Sequence, residues 1–372
     1  MIYLDHAAST PVLPEVAAAM RPWLLDECGN PSSLHAAGRR ARKAVEDARE
    51  TVAGCLEGDP REIIFTSGAT ESNALALEGA AEALRSKGDH VITAAAEHAS
   101  VLETCERLGR RGFRVTVADV DGEGRVNPDA IARAMTPRTI LVSVQWVNNE
   151  VGTVQPIREI RRASKGALLH TDAAQALGKV PVSVAEVDLL TFSAHKAHGP
   201  KGSGGLWVRR GTPLAPLLSG GGQEFERRAG TENVAGIVGT AEALRRACGD
   251  LAVSSAWMES LRERLRLALK GAMVHGPARD RAPHLLNVAF GGADGEAMVL
   301  ALDAAGVCVS TGSACASLSA LPSHVLKAMG VPPEVSKASL RFSVSSLTTE
   351  AEVDEAGRIV ARVLDRLRAG VR

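Results

Sequence analysis

The chain has 372 residues, 45% of them hydrophobic and 23% charged, which is an ordinary globular composition too long for one small core. Its 43 basic and 43 acidic residues cancel, so no net field favours nucleic acid or an anionic membrane surface. No apolar run approaches the roughly 18 residues needed to cross a bilayer. "MIYLDHAASTP" lacks the basic and apolar regions of a signal peptide, so the cytoplasm is the expected compartment.

In chain order, strands are expected at "EIIFTS" (62–67), "HVITAA" (90–95), "FRVTVA" (113–118), "TILVSVQ" (139–145), "ALLHTD" (167–172), "DLLTFSA" (188–194) and "GGLWVRR" (204–210). Helical patterns such as "TESNALALEGAAEALRSKG" and "NPDAIARAMT" lie between them. Near-continuous apolar strands alternating with helices predict an α/β fold with a mainly parallel sheet covered on both faces. After about residue 245 the pattern changes. An amphipathic helix over 255–271 precedes "HLLNVAF", "VCVSTGS", "SLRFSVS" and a final helix from about 350, which reads as a smaller α+β domain. The first dozen residues fit either unit. The division taken is a large domain at 13–245, and a small domain of 1–12 with 246–372.

Ligands of open α/β sheets bind beyond the carboxyl ends of the strands. Thr70 follows the first strand where a helix begins, in "GATESN"; it suits an anion cradle or a plain helix cap. His98 follows the second strand and reads equally as packing or capping. Asn148 and Asn149 follow the fourth, where paired asparagines commonly make a turn. Asp172 ends the fifth, three residues before Gln175, and suits a helix cap as well as a site.

The stretch "LLTFSAHKAHGPKGSGG" ends the sixth strand with Ser193, His195 and Lys196. His195 and His198 lack the helical context and third ligand of a metal site, so no metal is expected. A lysine in a dry pocket loses its proton readily and can form a Schiff base. An acidic group facing a ring nitrogen and hydroxyls around a phosphate would complete a site for pyridoxal 5'-phosphate.

The six cysteines, Cys28, Cys55, Cys105, Cys248, Cys308 and Cys315, form no C-x-x-C pair, so neither a disulfide framework nor a thiolate zinc site fits. Cys308 in "GVCVS" reads as a buried strand residue. Cys315 in "STGSACASLSA" reads as loop-borne, where functional side chains concentrate. Arg341 lies inside the apolar run "ASLRFSVS" and needs an anion, either a substrate carboxylate or an internal acidic residue.

Over nearly its whole length the sequence resembles the cysteine desulfurases, pyridoxal-phosphate enzymes with the fold of the aspartate aminotransferases. The matching segments are "YLDHAASTP", "GNPSSLH", "FTSGATESN", "EH" at 97–98, "VNNEVGTVQPI", "HTDAAQ", "SAHKAHGPKG", "RRAGTENV", "STGSACAS" and "LRFS". The resemblance implies that Lys196 bonds the cofactor aldehyde, that Asp172 pairs with the pyridine nitrogen and that His98 stacks on the ring and relays protons. It implies contacts from Asn149 and Gln175 to the ring oxygen, and from Ala69, Thr70, Ser193 and His195 to the phosphate. Thr231 would reach the phosphate of a neighbouring subunit in a homodimer. Arg341, with Asn30 nearby, would bind the carboxylate of L-cysteine.

On this reading Cys315 takes the substrate sulfur as a persulfide, L-alanine is released, and the sulfur passes to an iron–sulfur scaffold or another acceptor. "STGSACASLSALPSHV" is similar to the long-loop group associated with iron–sulfur cluster assembly. Housekeeping members carry a longer C-terminal segment that helps dock the scaffold; this sequence stops at "DRLRAGVR", so docking through that segment is not expected. The rival readings are a selenocysteine lyase or another lyase or transaminase on the same fold, and a catalytically silent, cofactor-stabilised scaffold for sulfur-transfer proteins.

Overall fold

The computed structural model describes residues 1–312 and 322–370. Among these, twelve strands occur: β1 (Ile2–Tyr3), β2 (Ile63–Thr66), β3 (His90–Ala94), β4 (Arg114–Ala118), β5 (Thr139–Ser143), β6 (Leu168–Asp172), β7 (Leu189–Ser193), β8 (Gly204–Val208), β9 (Met273–His275), β10 (Leu285–Ala289), β11 (Val307–Cys308) and β12 (Ser339–Ser343). The seven strands expected in the first part of the chain all form, and they make one sheet in the order β2-β8-β7-β6-β5-β3-β4. Every pairing is parallel except the two made by β8.

Alternation along each strand explains why these apolar runs become strands rather than helices. Ile63 and Phe65 enter one core, and Ile64 enters the other. Val91 and Ile92 divide in the same way, as do Leu141 and Val142, Leu189 and Leu190, and Leu206 and Trp207. A two-residue period with both faces apolar demands helices on both sides. The helices Ala69–Ala83 and Ala99–Arg110 cover one face with Leu75, Leu77, Val101 and Leu108. Ala36–Cys55 and Val234–Gly249 contribute Val45, Val52, Ile237 and Leu244 to the other.

A separate core gathers Leu4, Leu261, Leu265, Leu286, Val288, Leu302, Leu340, Phe342 and the helix Glu350–Gly370. It packs on the antiparallel sheet β12-β10-β9 and on the parallel pair β1–β11. The predicted strand at "VCVSTGS" is only Val307–Cys308, and Cys308 is half-buried rather than buried. Short β9 and β1 have too few residues to carry a periodic signal.

Residues 2–10 bridge the two regions. Leu4 sits in the separate core and Ala7 in the sheet core. Thr10 donates to the carbonyl of His195 through both its backbone N–H and its hydroxyl, each at 2.8 Å. Among the described residues no helix is long and apolar enough to cross a membrane.

Candidate active site

The carboxyl ends of β2, β3, β5, β6 and β7 open onto one cleft of about 400 Å³. Ser67–Thr70 line it after β2, His98 after β3, Gln145 and Asn149 after β5, Asp172 and Gln175 from β6, and His195 and Lys196 after β7. Ala7–Ser9 and Arg341 close the side facing the smaller sheet. Thus Ala69, Thr70, His98, Asn149, Asp172, Gln175, His195, Lys196 and Arg341 share one site. Ser193 lies at the buried end of β7, immediately before it. Thr231 is exposed and does not line this cleft. Asn30 is also exposed, accepts from Ser32 N at 2.8 Å, and is not brought to the cleft of its own chain. Cys315 lies outside the described residues.

Thr70 is not the cap of its helix. Gly68, with φ 145° and ψ −178°, is the N-cap, and Thr70 is in the first turn. Only glycine adopts that backbone without strain. Because the helix starts at Ala69, its unfulfilled first-turn N–H groups face the cleft, as an anion requires. Glu71 holds the approach in place by accepting from Ser67 N at 2.8 Å. At the opposite rim, Gly204 brings β8 against Gly68: a Cβ there would stand 2.9 Å from Gly68 Cα and 2.6 Å from Phe192 O.

Asp172 is buried and accepts from Asn73 Nδ2 at 2.7 Å and from the Ala174 N–H at 2.9 Å. No helix follows Asp172: residues 174–179 form turns, so its bond to the Ala174 N–H shapes a turn rather than capping the helix expected there, and Asp172 keeps its site role. His98 caps Ala99–Arg110: its Nδ1 accepts from Ser100 N at 3.1 Å and lies 2.8 Å from Ser100 Oγ. A backbone N–H only donates, so the neutral ring carries its proton on Nε2. Burial, then the Lys196 charge, lowers the His98 pKa to about 4. Burial and the same lysine bring His195 to about 4 as well.

Asn148 makes the expected turn, its Oδ1 accepting from the N–H groups of Glu150 and Val151 at 2.9 Å each. Asn149 is thereby turned inward, and its carbonyl accepts from Arg341 Nη1 at 3.0 Å. Gln175 Nε2 donates to Ala7 O at 2.9 Å. Arg341 is explained by strand alternation: Leu340 and Phe342 enter the core, so the guanidinium faces the cleft. There its Nη2 meets Asp5 Oδ1 at 2.8 Å, so the internal acidic partner considered for it exists.

Sequence reasoning missed Asn73, Asp5, Lys179 and Glu97. Lys179 is buried and donates to the Lys196 carbonyl at 2.7 Å; burial, then Lys196, lowers its pKa to about 7. Glu97 is fully buried; desolvation pushes its carboxyl well above the usual range, and Asp172 adds to the effect. Their signal was a polar residue inside an apolar stretch, as with Asn73 in "SNALALEGAA".

The donor set fits pyridoxal phosphate. Among the described residues the buried Ser193 Oγ and Asn149 Oδ1 have no hydrogen-bond partner, leaving one hydroxyl and one side-chain carbonyl for a bound polar group. A helix N-terminus beside Thr70 offers N–H groups to a phosphate. A lysine, a doubly hydrogen-bonded aspartate and this cradle at the carboxyl edge of a mainly parallel sheet define a pyridoxal-phosphate enzyme of fold type I. The chain belongs to the aminotransferase class-V family, which it matches over residues 2–356.

It is 44% identical over 375 residues to the cysteine desulfurase IscS of Dictyoglomus turgidum, covering 99% of this chain and 95% of that one. It is 44% identical over 374 residues to the IscS of Methanosarcina thermophila, covering 99% and 93%. A solved NifS-like protein superposes with a TM-score of 0.93 at 38% identity, over 98% of this chain and all of that one. SspA, solved in complex with cysteine, gives 0.82 at 35% identity, over 94% of this chain and 100% of its own.

Proposed function

We propose that the protein is a pyridoxal-phosphate-dependent cysteine desulfurase that converts L-cysteine to L-alanine and places the sulfur on Cys315. The observation that carries this reading is the convergence of Lys196, Asp172, His98 and Arg341 on one cleft at the carboxyl edge of the sheet. Pyridoxal phosphate, when bound, supplies an electron sink for the substrate α-carbon.

The chain's own groups do the rest. Lys196 offers the amine that holds the cofactor. Asp172, kept as an acceptor by Asn73 and Ala174, receives the ring N–H. Thr70, Ala69, Ser193 and His195 hold the phosphate, and Asn149 and Gln175 the ring oxygen. Among the described residues the buried Arg341 Nε has no partner, which leaves a donor for a substrate carboxylate. His98 stays neutral near pH 7 and presents Nε2–H as a hydrogen-bond donor. The Cys315 thiolate attacks the substrate sulfur: an S–S bond forms, the Cβ–S bond breaks, and the carbon fragment leaves as alanine after gaining a proton.

We infer a cytoplasmic homodimer in which Thr231 of the partner subunit completes each site. Its exposure, beside exposed Leu217, Leu218 and Phe225, supports that reading. The separate cores support a large and a small unit along the division 13–245 and 1–12 with 246–372, although Ala7, Ala282 and Leu285 join the sheet core. The sulfur then passes to an iron–sulfur scaffold or another sulfur acceptor protein.

The test is an absorption spectrum with pyridoxal phosphate and an alanine assay with L-cysteine, on wild type and Cys315→Ala. A visible chromophore, alanine formation and loss of turnover in the variant are expected. A chromophore without alanine would leave the silent scaffold. Undiminished sulfur release by Cys315→Ala would overturn the persulfide step and favour another lyase.

A further inference from the structure

Asn73 is fully buried on the helix Ala69–Ala83, four residues after Ala69 and so on the same helical face. Its amide nitrogen has two hydrogens, and both are used. One goes to Asp172 Oδ2 at 2.7 Å, the other to Ser100 Oγ at 2.9 Å. Ser100 Oγ accepts from Asn73, so its own hydrogen is left for His98 Nδ1 at 2.8 Å. His98 Nδ1 therefore faces two donors, the Ser100 hydroxyl and the Ser100 N–H.

The orientation of the Asn73 amide is fixed by charge. A flipped amide would set its oxygen against the Asp172 carboxylate. In the unflipped orientation Asn73 Oδ1 is buried with no partner among the described residues. A buried orphan carbonyl is costly, and an apolar residue would pack here without that cost. What the site gains from asparagine is therefore its NH2 group, which serves two acceptors.

The geometry points to Asn73 as a positioning residue that couples Asp172 to His98, keeping the first an acceptor and the second an Nε2–H donor. This rests on the proposed function, in which the two side chains serve one cofactor ring. The coupling runs through Asn73 and Ser100, neither of which needs to touch the cofactor. To protonate His98, a proton must be placed on Nδ1 against the two Ser100 donors. Without Asn73 the Ser100 hydroxyl is free to turn and accept a hydrogen bond from Nδ1–H of the protonated ring. Lys196, Asp172, His324 and Arg341 also act on His98, and Asn73 replacement alters none of these charges.

The experiment compares wild type, Asn73→Ala and Ser100→Ala in two readouts. One is the pyridoxal-phosphate dissociation constant from the absorption spectrum. The other is the His98 titration midpoint by ¹⁵N-edited NMR of the full chain without cofactor, assigned with His98→Gln. Asn73→Ala is expected to weaken cofactor binding roughly ten- to hundredfold, the range for a hydrogen bond to a charged group, and to raise the His98 midpoint. Ser100→Ala, which cuts only the His98 arm, is expected to raise the midpoint and leave cofactor affinity near wild type. Asn73→Ser, too short for both partners, substitutes if Asn73→Ala does not fold.

A lowered melting temperature with cofactor affinity and His98 midpoint both unmoved would overturn the proposal. Failure of wild type to bind pyridoxal phosphate would sink the proposed function, and with it the cofactor arm. The His98 midpoint would still report whether Asn73 acts through Ser100.

Discussion

Arg341 and Asp5 form an ion pair of 2.8 Å at the cleft wall, with the arginine side chain 1% exposed and the aspartate 16%. The pair joins the first strand-like residues of the chain to β12, so the guanidinium is fixed before any substrate arrives. Removing one partner of a buried pair leaves an uncompensated charge. Asp5→Asn is expected to lower the unfolding free energy by about 3 kcal/mol in denaturant titrations. The cysteine KM should fall or hold, because Arg341 loses an internal competitor for the substrate carboxylate. A higher KM at unchanged stability would make Asp5 a substrate contact instead.

Acid sensitivity should come from buried neutral histidines. Burial lowers His6 to about 3, and His98, His170 and His195 to about 4, from 6.5. The unfolded chain binds these protons first, so the stability they contribute is present above pH 6.5 and is lost as pH falls toward 4. Melting temperatures measured across pH 7 to 4 should drop steeply. His98→Gln should flatten part of that drop. An unchanged slope in the variant would show that His98 is charged or solvated in the fold.

Much of this site was legible because each strand ends where chemistry begins. Asp172, Ser193 and Lys196 could be placed from the apolar runs before them, since a strand buried on both faces must stop where polar side chains start. The same logic gave seven strands of one sheet. Residues that act from behind were not legible. Asn73 sits in a helix, where its three-residue spacing from Thr70 looked like a cap. The Asp5–Arg341 contact spans 336 residues of sequence, and no local pattern encodes it. Lys179 drew no reading from its own sequence context, yet it is buried against the Lys196 carbonyl.

That lysine gives a prediction of the same pH sense in a higher window. Its folded pKa of about 7 lies below the ordinary 10.5, so folding disfavours its charge. Its contribution is fully present above pH 10.5 and is lost as pH falls toward 7. Lys179→Met should therefore reduce the rise of stability with pH between 7 and 10. At pH 7 the variant should lose no more than about 1 kcal/mol, the worth of the bond to Lys196 O. A loss of several kcal/mol at pH 7 with the slope intact would mean that a charged Lys179 holds the turn.

The segment before Thr231 is held under strain. Glu224, Phe225 and Glu226 all have left-handed backbone, with φ of 47°, 59° and 64°. Such residues persist only when their surroundings over-determine them. Here Glu224 accepts from Arg49 at 2.8 and 2.9 Å and from Phe65 N at 2.8 Å, while the Arg49 guanidinium lies 5.0 Å from both the Phe65 and Phe225 rings. Arg228 then pairs with Glu71 at 2.8 Å, next to Thr70. Glu224→Gln should cost about 3 kcal/mol in denaturant titrations, because buried Arg49 loses its buried carboxylate and keeps only the exposed Glu46 at 3.5 Å.

The sharing of sites is tested by co-expressing Lys196→Ala and Thr231→Ala chains. If Thr231 serves the partner's cleft, each mixed dimer has one intact site, and random pairing should restore about a quarter of wild-type turnover. If Thr231 serves its own chain, every site in the mixture carries a lesion, and turnover should stay at the level of the separate variants.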